Sequence, residues 1–138
     1  MKNIYRLLIF LIVSTLSQPL FAQSASITSD TLRWNASGFT DKLANVTVNK
    51  GCQFITYGNG KADWIQGNYV LTFQVSNVST SWQDLSANGK ATYTISNEAI
   101  SGQLIISRTG SGLTIQLKLT EGTDDINNLY TITTFDKH

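Results

Sequence analysis

The chain has 138 residues, with ten Lys or Arg, nine Asp or Glu and a single His. That length suits one domain with its own core, and a near-balanced charge without a basic stripe excludes the electrostatic footprint of a nucleic-acid binder. One Cys, Cys52, excludes an intramolecular disulfide, so stability must come from packing, and Cys52 itself reads as a small buried apolar residue.

Lys2 and Arg6 precede an apolar run, Leu7 to Val13, which gives way to Gln18, Pro19 and the small residues Ala22, Ser24 and Ala25. This is the pattern of a secretory signal peptide over residues 1–22, with cleavage expected between 22 and 25. A membrane anchor needs about 20 apolar residues, and here Ser14, Ser17, Gln18 and Pro19 interrupt the run. The expected product is an untethered domain over residues 26–136, secreted to the periplasm or outside the cell. The ending Leu20-Phe21-Ala22-Gln23 has a Gram-negative bacterial look, under which the acceptor-like triplets at Asn35, Asn45 and Asn77 stay unmodified. Without Lys2 and Arg6, eight basic residues face nine acidic ones.

In chain order, Ile27 to Trp34 is a weakly patterned strand with Ile27, Leu32 and Trp34 inward, followed by a polar turn at Asn35 to Gly38. Phe39 to Leu43 reads ambiguously, as one short turn of helix, before a short strand marked by Val46 and Val48. Asn49-Lys50-Gly51 breaks the chain. Cys52 to Tyr57 and Lys61 to Gln66 form a hairpin across Gly58-Asn59-Gly60, whose glycines supply the backbone a tight turn needs. Gly67-Asn68 turns again into Tyr69 to Ser76, with Tyr69, Leu71, Phe73 and Val75 inward. Ser79 to Asn88 lacks a β pattern, and Trp82 and Leu85 suggest a helical turn or a loop pinned by an aromatic anchor. Lys90 to Ser96 and Ile100 to Arg108 follow.

The clearest element is Leu113 to Thr120, where Leu113, Ile115, Leu117 and Leu119 alternate with polar residues, as in a half-buried strand. Glu121 to Asn128 reads as a polar loop and Leu129 to Phe135 as the closing strand. Eight or nine strands at this spacing, joined by short turns, predict a single all-β antiparallel meander, closed as a barrel or split into a two-layer sandwich. No Pro follows Pro19, so the edges lack one common protection, which favours closure or edge pairing between chains, giving a monomer or an edge-paired dimer.

Residues for chemistry are few. His138 is the last residue, leaving no credible base for a Ser or Cys nucleophile. With Cys52 it is also the only soft metal ligand, so no metal or other cofactor is expected. The carboxylates fall mainly at turns, Asp63 excepted. A glycan hydrolase built on a carboxylate pair is therefore the third-ranked function, and no catalytic residue is assigned. Glu121 to Asn128 offers oxygen ligands, but without calcium-loop spacing. The aromatics are more informative. Inward groups such as Leu71, Phe73, Tyr93, Ile115 and Leu117 would line a barrel cavity, with Arg108, sharing the parity of Leu104 and Ile106, as an anchor for a ligand anion. Exposed Tyr57, Trp64 and Trp82 would instead serve a surface module for carbohydrate or a protein partner.

The meander layout and secretory start resemble the lipocalin-like (calycin) proteins, whose barrels hold small apolar ligands. The likeness lies in strand number and spacing. Trp34 follows Leu32-Arg33, and Gly38 comes after it, so the Gly-x-Trp signature of the first strand is absent and no binding residue is transferred. What the resemblance implies is non-catalytic binding of a small apolar ligand.

Overall fold

The structure, a computed structural model, describes residues 24–138; the expected signal peptide lies outside the described residues. The described residues form nine strands: β1 (Thr31–Asp41), β2 (Val46–Val48), β3 (Cys52–Tyr57), β4 (Lys61–Gln66), β5 (Tyr69–Thr80), β6 (Gly89–Ser96), β7 (Ile100–Thr109), β8 (Gly112–Glu121) and β9 (Asp124–Lys137). All pairings are antiparallel between sequence neighbours, except that β1 pairs with β3 and also with β9. The β1–β9 ladder, from Leu32↔Lys137 to Asp41↔Asn128, closes an eight-stranded barrel. The short β2 is the extra strand: it continues the β3 edge along Phe39 to Asp41, after the break at Asn49 to Gly51. Closure therefore decides for the barrel over the sandwich.

Alternation places the apolar side chains inside. Leu32, Trp34, Phe54, Phe73, Tyr93, Ile95, Leu104, Ile106, Ile115, Leu117 and Tyr130 are at most 1% exposed. The outward positions carry Arg33, Gln53, Thr72, Thr92, Gln103, Gln116 and Lys118. This polar-out arrangement is the inverse of a membrane-spanning barrel, and among the described residues no helix is long and apolar enough to cross a bilayer.

Several expectations need correcting. β1 begins at Thr31, so Ile27 is buried in a turn, not in a strand. Phe39 to Asp41 continues β1 and is not helical; register shifts between Asn35 and Gly38 flip the side-chain alternation there and disguise the strand. Glu121 to Asn128 is no wide loop. β8 runs to Glu121, Gly122 (φ 62°) and Thr123 make the turn, and Asp124 already pairs with Glu121. Asp124 and Asp125 then project to opposite sides of β9, so they do not converge on one ion.

Up-and-down connection puts alternate turns at the same end of the barrel. The N-terminal segment, the β3–β4, β5–β6 and β7–β8 turns and the C-terminus share one end; the β1–β2, β4–β5, β6–β7 and β8–β9 turns share the other.

Candidate functional site

The two ends differ in chemistry. At the N-terminal end, Ile27, Trp82 and Leu85 are 2%, 7% and 4% exposed and join the core. The Tyr93 hydroxyl donates to Ile27 O (3.1 Å), and Trp82 Nε1 donates to Ala87 O (3.0 Å). Asp30 pins the same segment: its carboxylate accepts from Ser26 N (2.7 Å) and pairs with Lys137 (3.0 Å), while its carbonyl accepts from Gly58 N. The Ser26 N–H and Lys137 hold that carboxyl below its ordinary value. Gly89 makes room for the plug, since a Cβ there would lie 2.0 Å from the Trp82 ring. This end is sealed by packed side chains.

The other end is apolar and exposed. Among the described residues, Leu43, Val46, Tyr69, Val70 and Ile126 are the exposed large hydrophobics, and all belong to strand ends or turns there. Pairing shows which of them face the barrel axis: Tyr69 lies two residues from inward Leu71, and Leu71 pairs with Trp64. Leu71, Trp64, Phe39 and Asn128 are half-buried. Beneath them sits an aromatic floor. Tyr130 meets Phe54 edge-on at 4.9 Å, Phe39 at 5.2 Å and Trp64 at 6.5 Å, and Trp64 in turn meets Tyr69 at 6.4 Å.

A few polar atoms sit in this floor. Trp64 Nε1 is buried without a hydrogen-bond partner among the described residues, and it lies on the side of the Cys52 thiol. Burial raises the Cys52 pKa, with the Trp64 indole opposing the rise, so the thiol stays protonated at neutral pH and is a weak nucleophile. Burial likewise pushes the Tyr130 phenol well above its ordinary value, against a long contact from Asn128 Nδ2 (3.5 Å). The half-buried inward groups here carry no charge. The arrangement can stack on and bury an apolar group against exposed Tyr69 and half-buried Leu71 and Trp64.

The residues singled out from sequence separate accordingly. Phe73, Tyr93, Ile115 and Leu117 are inward but at most 1% exposed, so no water-sized space lies against them and they form core, not a cavity wall. Leu71 is the one of that set at the exposed end. Arg108 has inward parity but lies at the plugged end, its guanidinium 5.8 Å over the Phe135 ring, with Nε buried and unpartnered. Among the described residues it makes no ion pair. Of the expected surface aromatics, Trp82 is buried in the plug and Trp64 faces inward. Only Tyr57 lies on the outer wall, where it donates to Asp63 Oδ2 (2.9 Å).

Asp63, 7% exposed, also accepts from Thr72 Oγ1 (2.7 Å), with Lys61 Nζ at 3.8 Å from its Oδ2 and 4.2 Å over the Tyr57 ring. Burial, and then Asp63, raise the Tyr57 pKa. The cross-strand neighbours of Asp63 are Ile55 and Thr72. With its oxygens accepting from Tyr57 and Thr72, Asp63 anchors a satisfied cross-strand network. Sequence reasoning missed Tyr69 and Asn128 as site residues. The parity of β5 carries the signal for Tyr69, but Asn128 was hidden in the supposed loop.

Comparison with protein-family models, with curated proteins and with solved structures finds no match.

Proposed function

We propose that this protein is a secreted, non-catalytic binding protein of lipocalin-like architecture that takes a small apolar ligand at the open end of its barrel. The observation that carries this reading is the asymmetry of the ends. Ile27, Trp82 and Leu85 seal one, while at the other Tyr69 is 58% exposed, facing inward above half-buried Leu71 and Trp64. Water-exposed apolar surface gathered at a barrel mouth is what an apolar ligand gains by covering. Each Å² of it removed from water is worth about 25 cal/mol.

Eight antiparallel strands in up-and-down order are shared with lipocalin-like barrels, which supports the architecture of the proposal. The ligand rests on the floor of Trp64 and Tyr130 and does not enter the packed layer of Phe73, Tyr93, Ile115 and Leu117. A panel of lipophilic fluorescent probes and fatty acids tests it. Binding is expected to quench tryptophan emission saturably and to raise Tm with ligand concentration, and Leu71→Arg should weaken both effects. A panel that leaves emission and Tm unchanged overturns the proposal.

A further inference from the structure

β5 is paired on both sides only along part of its length. Tyr69 to Gln74 pair with β4, but pairing with β6 starts at Gln74↔Ser96 and runs on to Thr80↔Ala91. Backbone direction follows from one hydrogen bond. Val75 N donates to Gly60 O on the β4 side (3.0 Å); Phe73, Leu71 and Tyr69 therefore also turn their N–H and C=O groups toward β4. Those of Val70 and Thr72 point the other way, where no strand of the described residues pairs with them. Val70 is 53% exposed and Thr72 is exposed as well.

Closed barrels normally remove such edges, and proteins that keep one guard it with charge, Pro or a bulge. None of these guards Tyr69-Val70-Leu71-Thr72-Phe73, which is β-branched, aromatic and uncharged; the register shift of β5 comes later, between Val75 and Asn77.

We propose that this edge is a dimerisation surface and that its occupant is the same edge of a second copy. The segment is self-complementary about a two-fold axis through Leu71. In that register Val70 of each copy faces Thr72 of the other, and each such pair exchanges both N–H···O=C bonds, so every free backbone group on the edge is satisfied. Leu71 lies opposite its counterpart across the axis. With no charge on either segment, nothing repels across the axis. The inference rests on strand pairing; because Tyr69 and Leu71 also belong to the proposed mouth, the test variants are placed at outward Val70 and Thr72.

Sedimentation velocity on the purified protein over a concentration series tests it, with backbone hydrogen exchange as a second readout. The short edge should give reversible dimerisation in the micromolar range, with the Val70 and Thr72 amides protected only at high concentration. Val70→Lys sets two like charges diagonally across the axis, within reach of each other, and Thr72→Pro deletes an edge donor while leaving the β4 ladder intact. Both variants should stay monomeric, with the far-UV spectrum of the wild type; if Thr72→Pro does not fold, Val70→Lys decides. A wild-type protein that stays monomeric throughout overturns the proposal, as does a dimer that survives Val70→Lys.

Discussion

Gly89→Ala should unseat Trp82 and open the sealed end of the barrel. An added Cβ would lie 2.0, 2.2 and 2.4 Å from Cδ1, Cγ and Nε1 of the indole, far inside contact distance, so the ring has to leave. Deleting a buried Trp costs about 3–5 kcal/mol; expelling it forfeits much of that, and losing the Nε1 bond to Ala87 O adds about 1 kcal/mol. Replacing a strand Gly returns about 0.5–1 kcal/mol. The net expectation is a loss of about 3 kcal/mol, or roughly 12 °C in Tm for a domain of this size. Urea unfolding of the two single variants and the double variant completes a cycle with Trp82→Ala. In that background Gly89→Ala should be neutral or slightly stabilising, giving a coupling of about 3 kcal/mol. Equal costs in both backgrounds would show that the Gly89–Trp82 contact does not hold the plug.

Gly102→Ala meets backbone and not a movable side chain, since its Cβ would lie 1.9 Å from Lys118 O and 2.9 Å from Leu119 Cα. It should cost more than about 3 kcal/mol, and a Tm within a few degrees of wild type would contradict the close approach of β7 to β8. Asp63→Ala strips the acceptor from Tyr57 and Thr72 and should cost about 1–3 kcal/mol by chemical denaturation; a neutral result would mean water replaces it freely. Burial holds the Tyr93 phenol up at about 12, so its neutral form belongs to the fold. Stability from that source is complete below pH 10 and is lost as pH rises from 10 to about 12; ultraviolet titration should show Tyr93 ionising well above the ordinary phenol value of 10.0. Asp30 has the opposite sign. Its lowered pKa stabilises the plug above its ordinary value of 3.8, and that support disappears as pH falls below it; Asp30→Asn should flatten this limb of the acid-unfolding curve.

Where the pleat shows in the side chains, the fold was legible. Tyr69 to Val75 and Leu113 to Leu119 alternate without interruption, and their partners differ only in register. It was lost where backbone pairing, not side-chain character, makes the strand. Asp124, Asp125, Asn127 and Asn128 are turn-formers by composition, yet the ladder to β8 holds them extended. The bulged stretch around Ser37 and Gly38 shifted parity and made Phe39 to Asp41 look helical. For the site, parity correctly turned Leu71, Phe73, Tyr93, Ile115 and Leu117 inward. How full the barrel is depends on the distance between opposite walls, which one strand's pattern does not encode. Trp82 illustrates the same limit: its burial depends on Gly89, a contact between a loop and a strand that no periodicity announces.

On the proposed function, one end of the barrel is sealed and the other takes an apolar ligand. The three tryptophans report on it separately, because Trp82 lies in the plug, Trp34 donates to Thr56 Oγ1 in the core (3.1 Å) and Trp64 forms the mouth's floor. Titrating a lipophilic ligand into ¹⁵N-labelled protein should shift the Trp64 indole N–H resonance and leave those of Trp34 and Trp82 in place. A Trp64 signal that does not move while the ligand binds, or a shift confined to Trp82, would mean that the ligand does not bind at the mouth.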